Sequence, residues 1–290
     1  MADELLDDYV PDGTLAYSEG EESELEDSNE DAGSSSGEGP DARALELSQS
    51  AKKRKRRELE KMRKAKKRRR VEEDATAGVP HAAFASQSPA VLAKYIASVQ
   101  AKVFDGASAI ELEDLRIPET SLEDTSMFTG DRTLDKLCEF IDSSLPQLKT
   151  RMGQKSKENG APTLIFFTAA AMRGADIIRE LRKMRTDKSG QVAKLFAKHF
   201  KLEEHMLYLR RTKIVAAVGT PGRIGKLLEA EDCLRLDALS HIIIDFTFQD
   251  TKQRTLLDIP ETRLELFKTV FANDRLKTAL QSGKVKLVLF

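Results

Sequence analysis

The 290-residue sequence has no tryptophan, two cysteines, four histidines and nine prolines. Cys138 and Cys233 form no disulfide scaffold or zinc framework, and so few thiols fit a reducing compartment. His199 and His205 are six apart and miss the i, i+4 spacing of a zinc helix, so both are expected at the surface. His241 opens an apolar run and is expected to be a satisfied edge histidine, with both cysteines packed in the core. No apolar run approaches the ~18–20 residues a membrane span requires, which excludes a multi-span membrane protein. The N-terminus is acidic, unlike a secretory signal or an Arg-rich transit peptide. Periodic self-similarity is absent, which argues against a repeat protein. The formal net charge of −1 is also low, but it is a sum of opposite blocks.

Residues 1–41 carry fifteen carboxylates and no Lys or Arg. Such a segment buries too little apolar surface to offset the entropy of ordering, so a disordered acidic tail is expected over 1–50. Leu5, Leu6, Tyr9 and Val10 give it one small apolar cluster. Ser18, Ser23, Ser28 and Ser35 each precede a carboxylate by three residues, the pattern acid-directed kinases favour, so these are phosphorylation candidates. In residues 52–70 the sign reverses, and fourteen of nineteen residues are basic. One cluster is Lys52, Lys53, Arg54, Lys55, Arg56 and Arg57; the other runs through Lys61 and Arg63 to Lys66, Lys67, Arg68, Arg69 and Arg70. A block this dense is stabilised by polyanion through counterion release. Its two clusters also fit a nuclear localisation signal read by an import receptor. The arm is placed at 51–72, a linker at 73–86 and the folded part at 87–290.

The folded part alternates short apolar runs with helical periodicity. Ser88-Pro89 starts a helix to about Phe104. Residues 107–127 lack long periodicity and hold Pro118, so they are expected to be extended or irregular. Thr133 is expected to cap a second helix, with residues 152–161 following as a surface loop. Strands are expected over Thr163–Thr168, Ile214–Val218, His241–Phe248 and Lys284–Phe290. Helices are expected over Met172–Met184, 192–209, Arg223–Glu229 and, as one long element, Pro260–Ser282. Continuous apolar strands separated by helices predict an α/β fold, a parallel sheet with helices on both faces. Ligands in such folds approach the carboxyl ends of the strands.

One strand ends in Val218-Gly219-Thr220-Pro221-Gly222-Arg223 and runs into a helix. Glycine permits close backbone approach, a helix start favours anions, and an arginine adds a charge-assisted contact. The Thr-Pro-Gly-Arg turn resembles motif Ib of DEAD-box RNA helicases. Thr168 before Arg173 is similar to their motif Ia, and Ile242-Ile243-Ile244-Asp245 lies where they carry their acidic motif. The resemblance implies a single RecA-like lobe, related to the P-loop NTPase fold. It also implies an RNA phosphate held by Thr168, Arg173, Gly219, Thr220, Pro221, Gly222 and Arg223. Arg179 and Arg182 at helical spacing could extend that path. The departures are specific. Phe246, Thr247 and Phe248 replace Glu-Ala-Asp, and no G-x-x-x-x-G-K-[ST] occurs. Thr129-Gly130-Asp131-Arg132-Thr133 reads as a decayed phosphate loop, one residue short and with Arg for Lys. No catalytic residue, metal or cofactor is therefore assigned. The alternatives are a divergent ATPase using Thr129–Thr133 and Asp245, and a pure protein scaffold in which the turn is only a turn.

The runs AIELEDLRIPETSLEDTSM, TAAAMRGADIIRELR and FAKHFKLEEHMLYLRRTKIVAAVGTPGRIGKLLE resemble the Cms/CMSS-type family, degenerate DEAD-box-like subunits of the 90S pre-ribosomal complex. That resemblance implies a nucleolar factor of early small-subunit assembly. Its partners would be pre-ribosomal RNA or small nucleolar RNA and small-subunit pre-ribosome proteins. The protein would be monomeric within a large ribonucleoprotein and away from membranes.

Overall fold

A computed structural model describes residues 81–154, 157–186, 188–198 and 200–290, all within one unit spanning 65–290. The acidic tail, its serines and the basic arm lie outside the described residues.

Two helices lead in: α1 (His81–Ala85), inside the expected linker, and α2 (Pro89–Val103). Pro89 at the first turn of α2 gives up a backbone N–H that no helical carbonyl would have accepted. Residues 107–127 are more ordered than expected. Ala109–Asp114 forms helix α3 under a reciprocal cap, in which Glu111 N–H donates to Ser108 Oγ and Ser108 N–H to Glu111 Oε2. Its side chains bury nothing, so no apolar period marked it. A 3₁₀ turn, Glu119–Ser121, follows. The expected helix after Thr133 begins as a 3₁₀ turn, Leu134–Lys136, and continues as α4 (Leu137–Ser144). Pro146 then starts a separate helix, α5 (Pro146–Met152).

The sheet is built from β1 (Leu164–Phe167), β2 (Gln191–Leu195), β3 (Ile214–Gly219), β4 (His241–Ile244) and β5 (Lys286–Leu289). Between them run α6 (Ala171–Lys183), α7 (Leu202–Arg211) and α8 (Pro221–Glu229). The strand order is β2-β3-β1-β4-β5 and every pairing is parallel. A single parallel bridge, Leu122 to Leu287, adds a sixth position outside β5. β2 corrects the first part of the helix expected over 192–209, whose second part is α7. It is an edge strand whose Lys194 sits half-buried between Ala193 and Leu195, so its short apolar run is broken. The long helix expected after Pro260 is also corrected. It divides into α9 (Pro260–Glu265), a π-helical segment (Leu266–Phe271) and α10 (Asp274–Gln281), the last capped by Asn273. The π segment lies where Thr269 packs against Gly225 of α8, so closely that a Cβ at 225 would fall 2.1 Å from Thr269 Oγ1.

Alternation along each strand feeds two cores. Ile165, Phe167, Ile242, Ile244, Leu287 and Leu289 face α2, α8, the π segment and α10. Leu164, Phe166, Val218, Ile243, Val288 and Phe290 face α4, α5 and α6. The fold is thus α/β, a parallel sheet flanked by helices on both faces, as a RecA-like lobe requires. After β1 the chain turns to one side of the sheet and after β3 it crosses to the other. The strand order therefore reverses between β1 and β4, and a crevice at their carboxyl ends is where such sheets hold ligands.

Candidate nucleic-acid interface

That crevice is bridged by the protein's own side chains. Asp245, at the end of β4, is 1% exposed. It accepts from Arg173 Nε at 2.9 Å and Arg173 Nη2 at 3.2 Å, and from the Thr168 hydroxyl at 3.2 Å. Burial raises the Asp245 pKa, and the Arg173 guanidinium and the Thr168 hydroxyl oppose that rise. Phe248 lies 5.3 Å from the guanidinium and closes the pair from outside. Thr168, expected to face a phosphate, is instead fully buried with its hydroxyl satisfied by Asp245.

The turn at 129–133 lies beside the sixth sheet position. Its Arg132 points inward and is 3% exposed. The guanidinium donates to Leu289 O at 2.8 Å, Thr125 O at 3.0 Å, Thr125 Oγ1 at 2.9 Å and Ser86 Oγ at 3.2 Å. It also stacks 4.8 Å from the centre of the Phe140 ring. Burial lowers the Arg132 pKa to about 10. An arginine held this way cannot reach a phosphate bound outside the turn. Phe246, where the resemblance places a glutamate, stands edge-on to His81 and Tyr95 and tilts against Phe84. A groove lined by Asp131, Arg132, Thr133, Arg173, Thr247 and Phe248 remains on this edge.

The Thr-Pro-Gly-Arg turn joins β3 to α8. Gly219 and Pro221 are buried, whereas Thr220, Gly222 and Arg223 are partly exposed. Gly219 lets β2 and β3 close up, since a Cβ there would lie 2.4 Å from Leu195 O. Thr220 occupies the N-cap position, and its side chain makes no capping hydrogen bond. Gly222 faces Glu265, whose Oε1 would lie 2.3 Å from a Cβ at 222. A carboxylate therefore stands beside the helix start where the sequence anticipated an RNA phosphate. Arg223 donates through Nη2 to Phe200 O at 2.9 Å, and its Nη1 lies 3.4 Å from His205 Nδ1.

His205 corrects the surface placement expected from sequence. It is 5% exposed and stacks on Phe200. Burial, and then the Arg223 charge, lower its pKa to about 4. His241 is buried as expected, but on an interior strand rather than an edge; His199 lies outside the described residues. Cys233 is buried and Cys138 half-buried.

Arg173, Arg179 and Arg182 do not line one path. Arg173 is on the first turn of α6, while Arg182 lies nine residues on, roughly 14 Å along the helix axis at 1.5 Å per residue. Arg179 pairs with Asp176 on its own helix. Among the described residues no cluster of metal-ligand type occurs, and no helix is long and apolar enough to cross a membrane. The inward partners of Arg132, Arg173 and Arg223 follow no local sequence pattern, and Leu289, Asp245 and Phe200 lie far along the chain from them. The one legible hint was the phenylalanine at 246 in place of a carboxylate.

A family model described as "CMS1: U3-containing 90S pre-ribosomal complex subunit" matches residues 40–290. Similar proteins include Protein CMS1 of Chaetomium thermophilum, 38% identical over 201 residues, which are 69% of this chain and 78% of that relative. Protein cms1 of Schizosaccharomyces pombe is 31% identical over 61% of each chain. Protein CMSS1 of Homo sapiens is 29% identical over 62% of this chain. In these last two the match spans 61% of the relative's own length. The Thr-Pro-Gly-Arg turn thus sits in a chain that belongs to the CMS1 family of U3-containing 90S pre-ribosomal complex subunits.

Proposed function

We propose that this chain is a non-catalytic, nucleolar ribosome-biogenesis factor that holds pre-ribosomal or small nucleolar RNA, and neighbouring particle proteins, through an inactivated helicase lobe and a basic arm. One observation carries the non-catalytic part. The β1/β4 crevice is closed by the Arg173–Asp245 pair, while the arginine of the shortened phosphate loop is anchored in the interior by Leu289 and Thr125. A nucleotide would have to break a buried ion pair and displace a four-bonded guanidinium before meeting a phosphate-binding group. The family description supports the particle and the role in ribosome biogenesis.

In this reading the tail (1–50), arm (51–72), linker (73–86) and lobe (87–290) divide the work. The arm, read by an import receptor on the way to the nucleus, supplies most of the polyanion affinity. Thr220 and Arg223 supply the lobe's contact, with Gly219, Pro221 and Gly222 shaping the turn and Thr168 and Arg173 holding it from beneath. The experiment is equilibrium RNA binding across a salt series for the full chain and for a 52–70 deletion, alongside a labelled ATP analogue with magnesium. Loss of affinity and a flatter salt slope on deletion, with no analogue bound, support the reading. Submillimolar analogue binding abolished by Arg132→Ala overturns it.

Glu265 beside Gly222 favours a second reading, a protein scaffold whose turn meets no RNA. Under it, Arg223→Glu leaves RNA crosslinking to the lobe intact, while association with the particle still requires the lobe.

A further inference from the structure

All five strands are parallel, so every chain segment entering the sheet arrives at one edge, opposite the crevice. The described residues of the segments 149–163, 182–190, 210–213, 230–240 and 282–285, which lead into the strands, include twelve basic and four acidic residues. The segments leaving the strands on the crevice side, 123–133, 168–173, 196–201, 220–223 and 245–259, carry seven basic and six acidic. The excess positive charge of the lobe is therefore gathered at the strand-entry edge. It follows the sheet order: Arg185 and Lys188 before β2, Arg211 and Lys213 before β3, Arg151 before β1, Arg235 before β4 and Lys284 before β5. Five strands at about 4.8 Å spacing make this a band roughly 19 Å across.

The band is rigid underneath. Neighbouring entry segments are tied by Asn159 Nδ2 to Arg210 O at 3.0 Å, Gly160 N to Thr212 O at 3.0 Å and Arg235 N to Gly160 O at 2.8 Å. Arg151 Nη2 donates to Ala238 O at 2.9 Å, and Thr186 Oγ1 to Gly153 O at 3.1 Å. These straps fix the segments that carry the charges, so that only the exposed side chains remain to be ordered on binding. Arg182, Lys188, Arg211, Lys213 and Lys284 are exposed and enter none of the ion pairs among the described residues. Buried His241 registers the field: after burial itself, Arg151 and Lys286 are what lower its pKa, to about 4.

We propose that this strand-entry edge is a second polyanion surface, which carries a single-stranded RNA backbone across the sheet from the β2 entry to the β5 entry. The proposal rests on the reading that the protein contacts RNA, but it uses neither the turn at Thr220 nor the arm. RNA is favoured over a folded protein partner because the large exposed apolar side chains of the lobe, such as Ile110, Met127 and Met172, all lie outside the entry segments. Protein interfaces are anchored by buried apolar or aromatic side chains, whereas phosphate chains need only charge and hydrogen-bond donors.

The test uses the full chain, a triple variant (Lys188→Glu, Arg211→Glu, Lys213→Glu) and a 52–70 deletion, each titrated with a labelled twelve-nucleotide oligouridylate across a salt series. Losing three phosphate contacts should lower the slope of log affinity against log salt by about two, at about 0.7 per contact, and reduce low-salt affinity at least about tenfold. The melting temperature should stay at the wild-type value, since the three side chains are exposed. Ultraviolet crosslinks should fall in peptides holding 182–188 and 210–213. Unchanged affinity and slope in the triple variant, while the arm deletion lowers both, overturn this inference alone. Tighter RNA binding by the triple variant also overturns it, because the edge then holds the acidic tail. A wild-type chain that binds no RNA overturns this inference together with the reading beneath it.

Discussion

The two edges of one sheet differ in how many cations they leave to solvent. On the crevice edge Arg132, Arg173 and Arg223 all turn toward protein acceptors: main-chain carbonyls, the carboxylate of Asp245 and the ring of His205. On the strand-entry edge Arg151, Arg185, Arg210 and Arg235 also bond to protein acceptors, but Arg182, Lys188, Arg211 and Lys213 point to solvent. The edge that resembles a nucleotide and RNA site has these three arginines bonded inward, and Arg173 alone is paired with a carboxylate. The edge without a motif keeps its field. A motif match therefore does not by itself mark available charge, and available charge is where a polyanion gains free energy.

The largest effect should come from opening the crevice. Asp245→Ala removes a carboxylate with no side-chain exposure and strands Arg173, whose side chain is 14% exposed. Breaking such a pair costs about 3–5 kcal/mol, read from urea unfolding. The double change Asp245→Leu with Arg173→Met should recover most of that loss, because an apolar pair of similar volume escapes the desolvation cost. If the single change costs under about 1 kcal/mol, the crevice is not closed by this pair, and the contrast between the edges weakens.

The entry edge has its own weak point. Gly160 has φ +64°, and a Cβ there would fall 2.1 Å from Cys233 O, a backbone atom with no freedom to retreat. Gly160→Ala should cost roughly 2–3 kcal/mol through backbone strain and displacement of the strap. RNA affinity should fall in the same variant as the platform loosens. A destabilised protein with undiminished affinity would show that the band does not need its scaffold.

A smaller effect separates the edges by function. Glu265→Gln removes the carboxylate beside Gly222 and keeps its shape. If the turn at Thr220 meets RNA, affinity should rise about two- to fivefold, the worth of one charge at a helix start. If only the entry edge and the arm bind RNA, the titration should be unmoved.

Much of this was legible before any coordinates. β1, β3 and β4 are buried throughout and, with β5 after its half-buried Lys286, are mostly runs of Leu, Ile, Val, Phe and Ala, and continuous apolarity identifies such strands. β2 was not legible, because an edge strand tolerates Lys194 and loses the pattern. Helix α3 was hidden by having no buried face, and the π segment at Leu266–Phe271 lies against Gly225 of another helix, which no local pattern encodes. The turn at Thr220 was located correctly along the chain, but its surroundings were not. Glu265 and Phe200 reach it from distant segments, and no local pattern encodes that meeting. The basic band is invisible in sequence for a related reason. Its residues are scattered over more than a hundred positions and become neighbours only once the strand order is known.

The finest comparison uses two buried histidines, one per edge. His205 and His241 both have pKa values lowered to about 4, chiefly by burial and secondarily by neighbouring cations. An unfolded-state value near 6.5 lies above both, so the folded state holds these rings neutral while the unfolded chain takes up protons. Their contribution to stability is intact above about pH 6.5 and is lost as pH falls toward 4. The cations differ: Arg223 for His205, and Arg151 and Lys286 for His241. Lys286→Gln should therefore raise the His241 midpoint in an NMR titration of the imidazole protons and leave His205 unmoved. Because burial is the larger cause, the raised midpoint should still lie below 6.5. Equal movement of both rings would mean a global loosening. An unmoved His241 would mean that the entry edge projects too little field to act on a ring at its own border, and a phosphate farther out would then feel less.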